Sequence, residues 1–330
     1  MNKVWKATFV IIGTIIGAGF ASGQEILLFF CEYGNFGIIS LIFSCMLSGW
    51  IIYKTLEFVR KEKISAYQET LTKLLSSMFL VKTIHIIITT FLGICFIIMV
   101  AGFGAYFSQE FNLPNSVGCV ILCLLFLIAY RSKTNGLIKA NEFCIPILMI
   151  LIIALGAYAP TNLTPKFIQA NLVKCMLDSI LYASYNSITL IPILIELQNT
   201  TQNKRNNIKT SLLCTFLLIV LGTTIFCLME ETENVKNAEI PMLIIAKKAG
   251  NIFPHLYGIV ILAAMYTSAI SSGYGFLQSK ENSPKNNMRI LALCSVAIAI
   301  SRLGFTNLIN MLYPIFGFLG IIQMFFILKA

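Results

Sequence analysis

The chain has 330 residues, 57% of them hydrophobic and only 12% charged, with a formal net charge of +10 and ten cysteines. Soluble domains carry about 25% charged residues, so the composition excludes a soluble enzyme or binding module and points to an all-α integral membrane protein. The basic excess is not a nucleic-acid signature, because the lysines and arginines fall in short connections where the positive-inside rule accounts for them. The cysteines form no C-x-x-C pair and read as packing residues, Cys119 and Cys123 on one helix face included.

The first apolar segment, residues 4–30, would make a helix of about 40 Å, against roughly 30 Å of bilayer hydrocarbon. It is too long for a signal peptide and leads into polar, glycine-rich sequence. Its middle reads Gly17-Ala18-Gly19-Phe20-Ala21-Ser22-Gly23-Gln24-Glu25. Three glycines weaken a helix there, and Ser22 followed by Glu25 predicts a capping box that starts a second half-helix. Backbone groups freed by such a break cannot face lipid and must line a cavity enclosed by protein or water.

Further apolar stretches give ten spans in all, near residues 4–31, 36–59, 82–108, 114–130, 137–157, 170–197, 209–229, 253–278, 288–303 and 307–328. With that count, 18 of the 24 lysines and arginines lie on the side of the N-terminus. Both termini are therefore expected in the cytoplasm. The two longest connections, residues 60–81 and 230–252, sit five spans apart on opposite sides, each with an amphipathic stretch, at 65–75 and 240–249. Five spans followed by five of opposite orientation make a 5+5 inverted repeat, residues 1–157 and 158–330. That plan predicts a second break in span six. Tyr182-Ala183-Ser184-Tyr185-Asn186-Ser187, with Pro192 after it, supplies the polar run but no glycine.

The start of the second half-helix in span one offers N–H groups that suit a carboxylate, between Gly17 and Gly23. The alternative is that these glycines only allow close helix packing. In span eight, Thr267, Ser268, Ser271 and Ser272 place hydroxyls on adjacent positions. With carbonyls near Gly13 and Ile16 they would suit a hard cation, or they bond their own helix. Glu25 is either the capping-box carboxylate or a residue handling ligand or proton. Asp178 either pairs with Lys174 one turn earlier or stands at a gate. Glu142, Glu196 and His85 lie at span ends and read as solvated or interfacial. In span three, Phe103 and Tyr106 either close over a substrate or fill the core. The sequence has no P-loop, metal-spaced His/Cys cluster or nucleophile elbow, which leaves ATP-driven pumping and covalent catalysis without support.

Ile12-Gly13-Thr14-Ile15-Ile16-Gly17-Ala18-Gly19-Phe20-Ala21-Ser22-Gly23-Gln24-Glu25-Ile26, Met99-Val100-Ala101-Gly102 onward to Phe107, and Tyr182-Ala183-Ser184-Tyr185-Asn186 together resemble the YkvI-like bacterial membrane proteins. These are regarded as amino acid permeases of the amino acid-polyamine-organocation superfamily. The resemblance covers essentially the whole chain and implies a leucine-transporter fold: spans one, two, six and seven as a moving bundle, three, four, eight and nine as a scaffold, five and ten as gating arms. It implies sodium at Gly13, Ile16, Ala264, Thr267 and Ser268. Proton-coupled relatives use a lysine in span five, where this chain has only Lys139 at the cytoplasmic edge. Substrate contacts are expected at Gly17, Ala18, Gly19, Ser22, Gly23, Phe103, Tyr182, Ser184, Tyr185 and Asn186, with Glu25, Tyr106 and Asp178 as gating or proton residues. The expectation is a multi-pass sodium symporter of an amino acid or similar small carboxylate in the bacterial cell membrane. It is not an enzyme, needs no cofactor other than the coupling ion, and works by alternating access. A proton-coupled permease, or a receptor of the same fold that binds without transporting, remains as an alternative.

Overall fold

A chain so apolar must satisfy its backbone internally wherever it meets lipid, and helices do that within one segment. The computed structural model describes residues 3–64, 69, 73, 77–132, 136–158, 171–197, 203–232, 235–278 and 286–329. The first apolar segment forms α1 (Lys3–Ile15), α2 (Ala18–Ser22) and α3 (Gln24–Phe29), closed by a 3-10 turn at Cys31–Tyr33. There follow α4 (Asn35–Glu62), α5 (Met78–Phe111), α6 (Asn115–Ser132), α7 (Gly136–Tyr158), α8 (Leu172–Glu196) and α9 (Lys204–Glu231). The last part holds α10 (Pro241–Ala249), α11 (Phe253–Gln278), α12 (Asn286–Ile300) and α13 (Phe305–Lys329).

Among the described residues, five helices are long and apolar enough to cross a membrane: α4, α5, α9, α11 up to Leu277, and α13. Shorter apolar helices cover Asn115–Tyr130 in α6 and Ile145–Tyr158 in α7. Large side chains such as Ile128, Phe216 and Phe325 stand exposed on the outside. Apolar surface on that scale needs lipid rather than water around it.

The centre is α8, packed between α4 and α13, while α11 lies along α5 and α9 along α4. Small residues set the spacing. A Cβ on Gly320 would strike the Ser184 carbonyl oxygen, and one on Gly317 would come within 2.9 Å of the Leu181 carbonyl oxygen, so α13 lies directly against the α8 backbone. Ser184 adds a hydrogen bond across that contact, its Oγ donating to Gly317 O at 2.5 Å. At one end of α4, Glu57 accepts from Arg60 Nη2 at 2.8 Å and from Asn207 Nδ2 of α9 at 2.8 Å.

The expected break in span six is absent: α8 runs without interruption from Leu172 to Glu196. Its polar run is absorbed by the helix itself. Asn186 Nδ2 donates to Tyr182 O and Ser187 Oγ to Ser184 O, while Ser184 gives its hydrogen to α13. With no glycine between 172 and 196, nothing lowers the cost of leaving helical geometry. The amphipathic stretch at 240–249 forms α10, with Pro241 in its first turn, Lys247 and Lys248 in its last and Gly250 beyond. The 65–75 stretch lies almost wholly outside the described residues.

Candidate functional site

The interruption of span one is present and is double. The first gap falls at Ile16 and Gly17. There the Gly17 N–H turns back to Ile15 O at 2.8 Å, and α2 begins with Gly17 as an N-cap that supplies no side chain. Gly17 has φ −77° and ψ −174°, which any residue adopts, and a Cβ built on it would meet nothing within 4 Å. The break therefore opens onto unfilled space, next to N–H groups without a side-chain cap.

The second gap is at Gly23, in the left-handed region at φ 87°. A Cβ there would strike the Met229 side chain and come within 3.2 Å of Met242 Cγ. The backbone conformation therefore requires glycine, whereas the end of the Met229 side chain can move aside and Met242 need give only slightly. Gly23→Ala is expected to destabilise the protein by about 1–2 kcal/mol, the penalty of the left-handed conformation. Thermal unfolding in detergent checks this, and an unchanged melting temperature would refute it.

The capping box is not formed. Ser22 is the last residue of α2 rather than an N-cap; its Oγ donates to Gly19 O at 2.9 Å and receives the Gln24 N–H only at 3.4 Å. The helix restarts instead from Gly23. That leaves the Glu25 side chain free for another role, and it turns inward to the protein centre. It is 1% exposed, and its Oε1 accepts from Tyr185 Oη of α8 at 3.1 Å. Gly19 makes room for this, since a Cβ there would collide with Glu25 Oε1.

Around the carboxyl stand Tyr182 and Tyr185 of α8 and Tyr313 of α13, with Cys95 of α5. The Tyr185 and Tyr313 rings stack at 4.4 Å, and Tyr182 meets Phe29 and Phe30 edge-on at 5.3 and 5.2 Å. Glu25 Oε2 and Tyr182 Oη are both buried and face each other, neither in full hydrogen-bond geometry with any described residue. A buried carboxyl oxygen facing a buried hydroxyl is a place where one hydrogen can be gained or lost.

Other expected residues fall elsewhere. Phe103 stacks on Phe107 at 5.6 Å, where Gly104 and Gly118 bring α5 and α6 together. Tyr106 rests on α11 at Gly258, whose missing side chain accommodates the Tyr106 hydroxyl. Asn186 bonds within α8, and Ser184 joins α8 to α13. Asp178 does not pair with Lys174: it accepts from the Tyr33 hydroxyl, while Lys174 Nζ reaches Glu32 Oε2 at 3.3 Å. The pair of contacts ties the end of span one to α8. Gly13 packs against Ile145 of α7, and Ile16 is buried. Thr267 Oγ1 donates to Ala264 O at 3.1 Å, and Ser268 is partly buried.

Two anchors escaped the sequence reading. Tyr257 of α11 donates to Ala21 O at 2.5 Å and fixes α2. Gln24 is buried and its Nε2 reaches Ala238 O, Glu239 O and Thr306 Oγ1 at 2.7, 3.1 and 2.8 Å. Glu239 Oε2 in turn accepts from the Thr306 N–H at the start of α13. The glutamine was legible only as a polar residue in an apolar run.

No family model matches the chain. It is 23% identical over 326 residues to the Bacillus subtilis membrane protein YkvI, covering 96% of this chain and 92% of YkvI. It is 26% identical over 330 residues to YyaD of the same organism, covering 96% and 95%. Among solved structures it is similar to the Eremococcus coleocola manganese transporter in complex with an aromatic bis-isothiourea compound. That match has a TM-score of 0.66 at 14% identity, covering 99% of this chain and 78% of the other. A mutant of the same transporter gives 0.63 at 13% identity, with 98% and 77% covered. At these identities the likeness establishes the fold alone, one that this chain shares with a membrane transporter.

Proposed function

We propose that the chain is a secondary transporter of a small carboxylate-bearing solute, an amino acid by size and chemistry, working by alternating access in the cell membrane. The observation that carries the reading is the break at Ile16 and Gly17, whose uncapped N–H groups adjoin unfilled space. Such groups with the positive end of a helix dipole attract a carboxylate. The proposed architecture is ten spans in a 5+5 inverted repeat with both termini cytoplasmic, which the charge distribution supports.

Sodium is the proposed coupling ion, held by Gly13, Ile16, Ala264, Thr267 and Ser268. Thr267 is buried, and its hydroxyl donates to Ala264 O one turn earlier. Manganese, the cargo in the name of the structural neighbour, suits this chain poorly: among the described residues no three His, Cys, Asp or Glu side chains come together. One observation favours a second reading, proton coupling, namely the buried Oε2 of Glu25 facing the buried Tyr182 hydroxyl.

Uptake of labelled amino acids into proteoliposomes under an imposed sodium or proton gradient tests both. Thr267→Ala with Ser268→Ala should abolish sodium-driven uptake. Retained sodium coupling in that double variant would remove the site, and uptake indifferent to sodium would remove the ion.

A further inference from the structure

A groove of about 420 Å³ lies between α5, α11 and α12, away from the span-one break. Ligand-sized cavities begin near 300 Å³. Its walls are apolar, with Ile94 and Ile97 from α5, Leu277 from α11 and Leu293 and Val296 from α12. The Phe276 ring lies flat into α5 because Gly93 has no side chain; a Cβ there would sit 2.9 Å from it. One charged residue joins this lining, Arg289, near the start of α12. Its Nη1 is buried and, among the described residues, has no hydrogen-bond partner.

A guanidinium nitrogen removed from water and left unbonded is unfavourable unless an anion occupies the space beside it. Apart from Thr90 the rest of the groove is apolar, and it opens on the outside of the bundle, since Val296 is 48% exposed. Headgroup anion and acyl chain are the one combination that suits a single cation above such walls. We infer that this groove binds an anionic phospholipid, with the phosphate on Arg289 and an acyl chain along α5 and α12. Lys280 and Lys285 precede Arg289 in the sequence, so the charge-based orientation places this end in the cytoplasmic leaflet, where anionic lipids concentrate.

The test uses the full chain purified in neutral detergent and titrated with phosphatidylglycerol or phosphatidylcholine, bound lipid being counted by native mass spectrometry. Phosphatidylglycerol should bind more tightly. Arg289→Gln should weaken it about fivefold, the value of one surface cation, and leave phosphatidylcholine unchanged. Arg289→Lys should retain the preference, and Ala292→Trp, which fills the groove and spares the charge, should lose it. Equal binding of the two lipids by the native chain would overturn the inference, as would an Arg289→Gln variant with the native preference. Oleate competing as well as phosphatidylglycerol would also overturn it, by making the ligand a fatty acid.

Discussion

Glu25→Gln should lower gradient-driven uptake by roughly tenfold to a hundredfold while leaving the fold intact. Glutamine matches glutamate in size and its Oε1 still accepts from the Tyr185 hydroxyl, so the packing around Tyr182, Tyr185 and Tyr313 survives. What disappears is the negative charge at Oε2, the atom that faces the Tyr182 hydroxyl. A hydrogen bond or ion contact to a charged group contributes about 1.5–3 kcal/mol, and each 1.4 kcal/mol is tenfold. Proteoliposome uptake reads the loss, and thermal unfolding confirms the fold. Counterflow of unlabelled against labelled solute should persist, because exchange without net movement does not need the carboxyl to change its occupant. Counterflow lost together with uptake would make Glu25 a substrate ligand. Native uptake in the variant would return the residue to a purely structural role.

The second large effect is expected at Gly17. Its backbone conformation is open to any residue and a Cβ would enter unfilled space, so Gly17→Ala and Gly17→Ser should fold normally. Serine is also a good N-cap. Gly17→Leu should keep the melting temperature within about 4 °C, since it costs roughly one N-cap preference of about 1 kcal/mol. It nevertheless places four carbons where the solute is proposed to lie. Uptake should fall progressively from alanine to leucine and reach background with leucine, measured beside solute-dependent thermal stabilisation. If Gly17→Leu transports as well as the native chain, the space beside the break is not the binding site. If it unfolds, the space is not open.

The comparison of spans one and six shows how far local sequence reaches. Both carry a polar interruption in an apolar segment, and both were expected to break. Glycine decides at Gly23, whose left-handed conformation other residues rarely adopt, while at Gly17 the chain leaves the helix in a conformation open to any residue; in span six Asn186 and Ser187 return their hydrogen bonds to the turns before them. A serine or asparagine in a helix reads equally well as break or as continuation until the carbonyls within its reach are known. The amphipathic α10 was legible because proline, lysines and glycine mark its ends, from Pro241 to Gly250.

Glu25 shows the opposite limit. Ser-x-x-Glu is a local pattern with a local explanation, and the molecule does not use it. The carboxyl bonds to Tyr185, 160 positions away, and faces Tyr313 from yet another helix. Gln24 likewise reaches Ala238 and Thr306.

By itself, then, the sequence determined the membrane class, the succession of apolar helices and the place where the first of them fails. These follow from hydropathy and backbone freedom, which belong to neighbouring residues. Which polar side chain turns inward, what surrounds it and where space remains were decided only by the tertiary structure. Those properties arise when α3, α8 and α13 meet, and no spacing along a single segment encodes the contacts between separate ones.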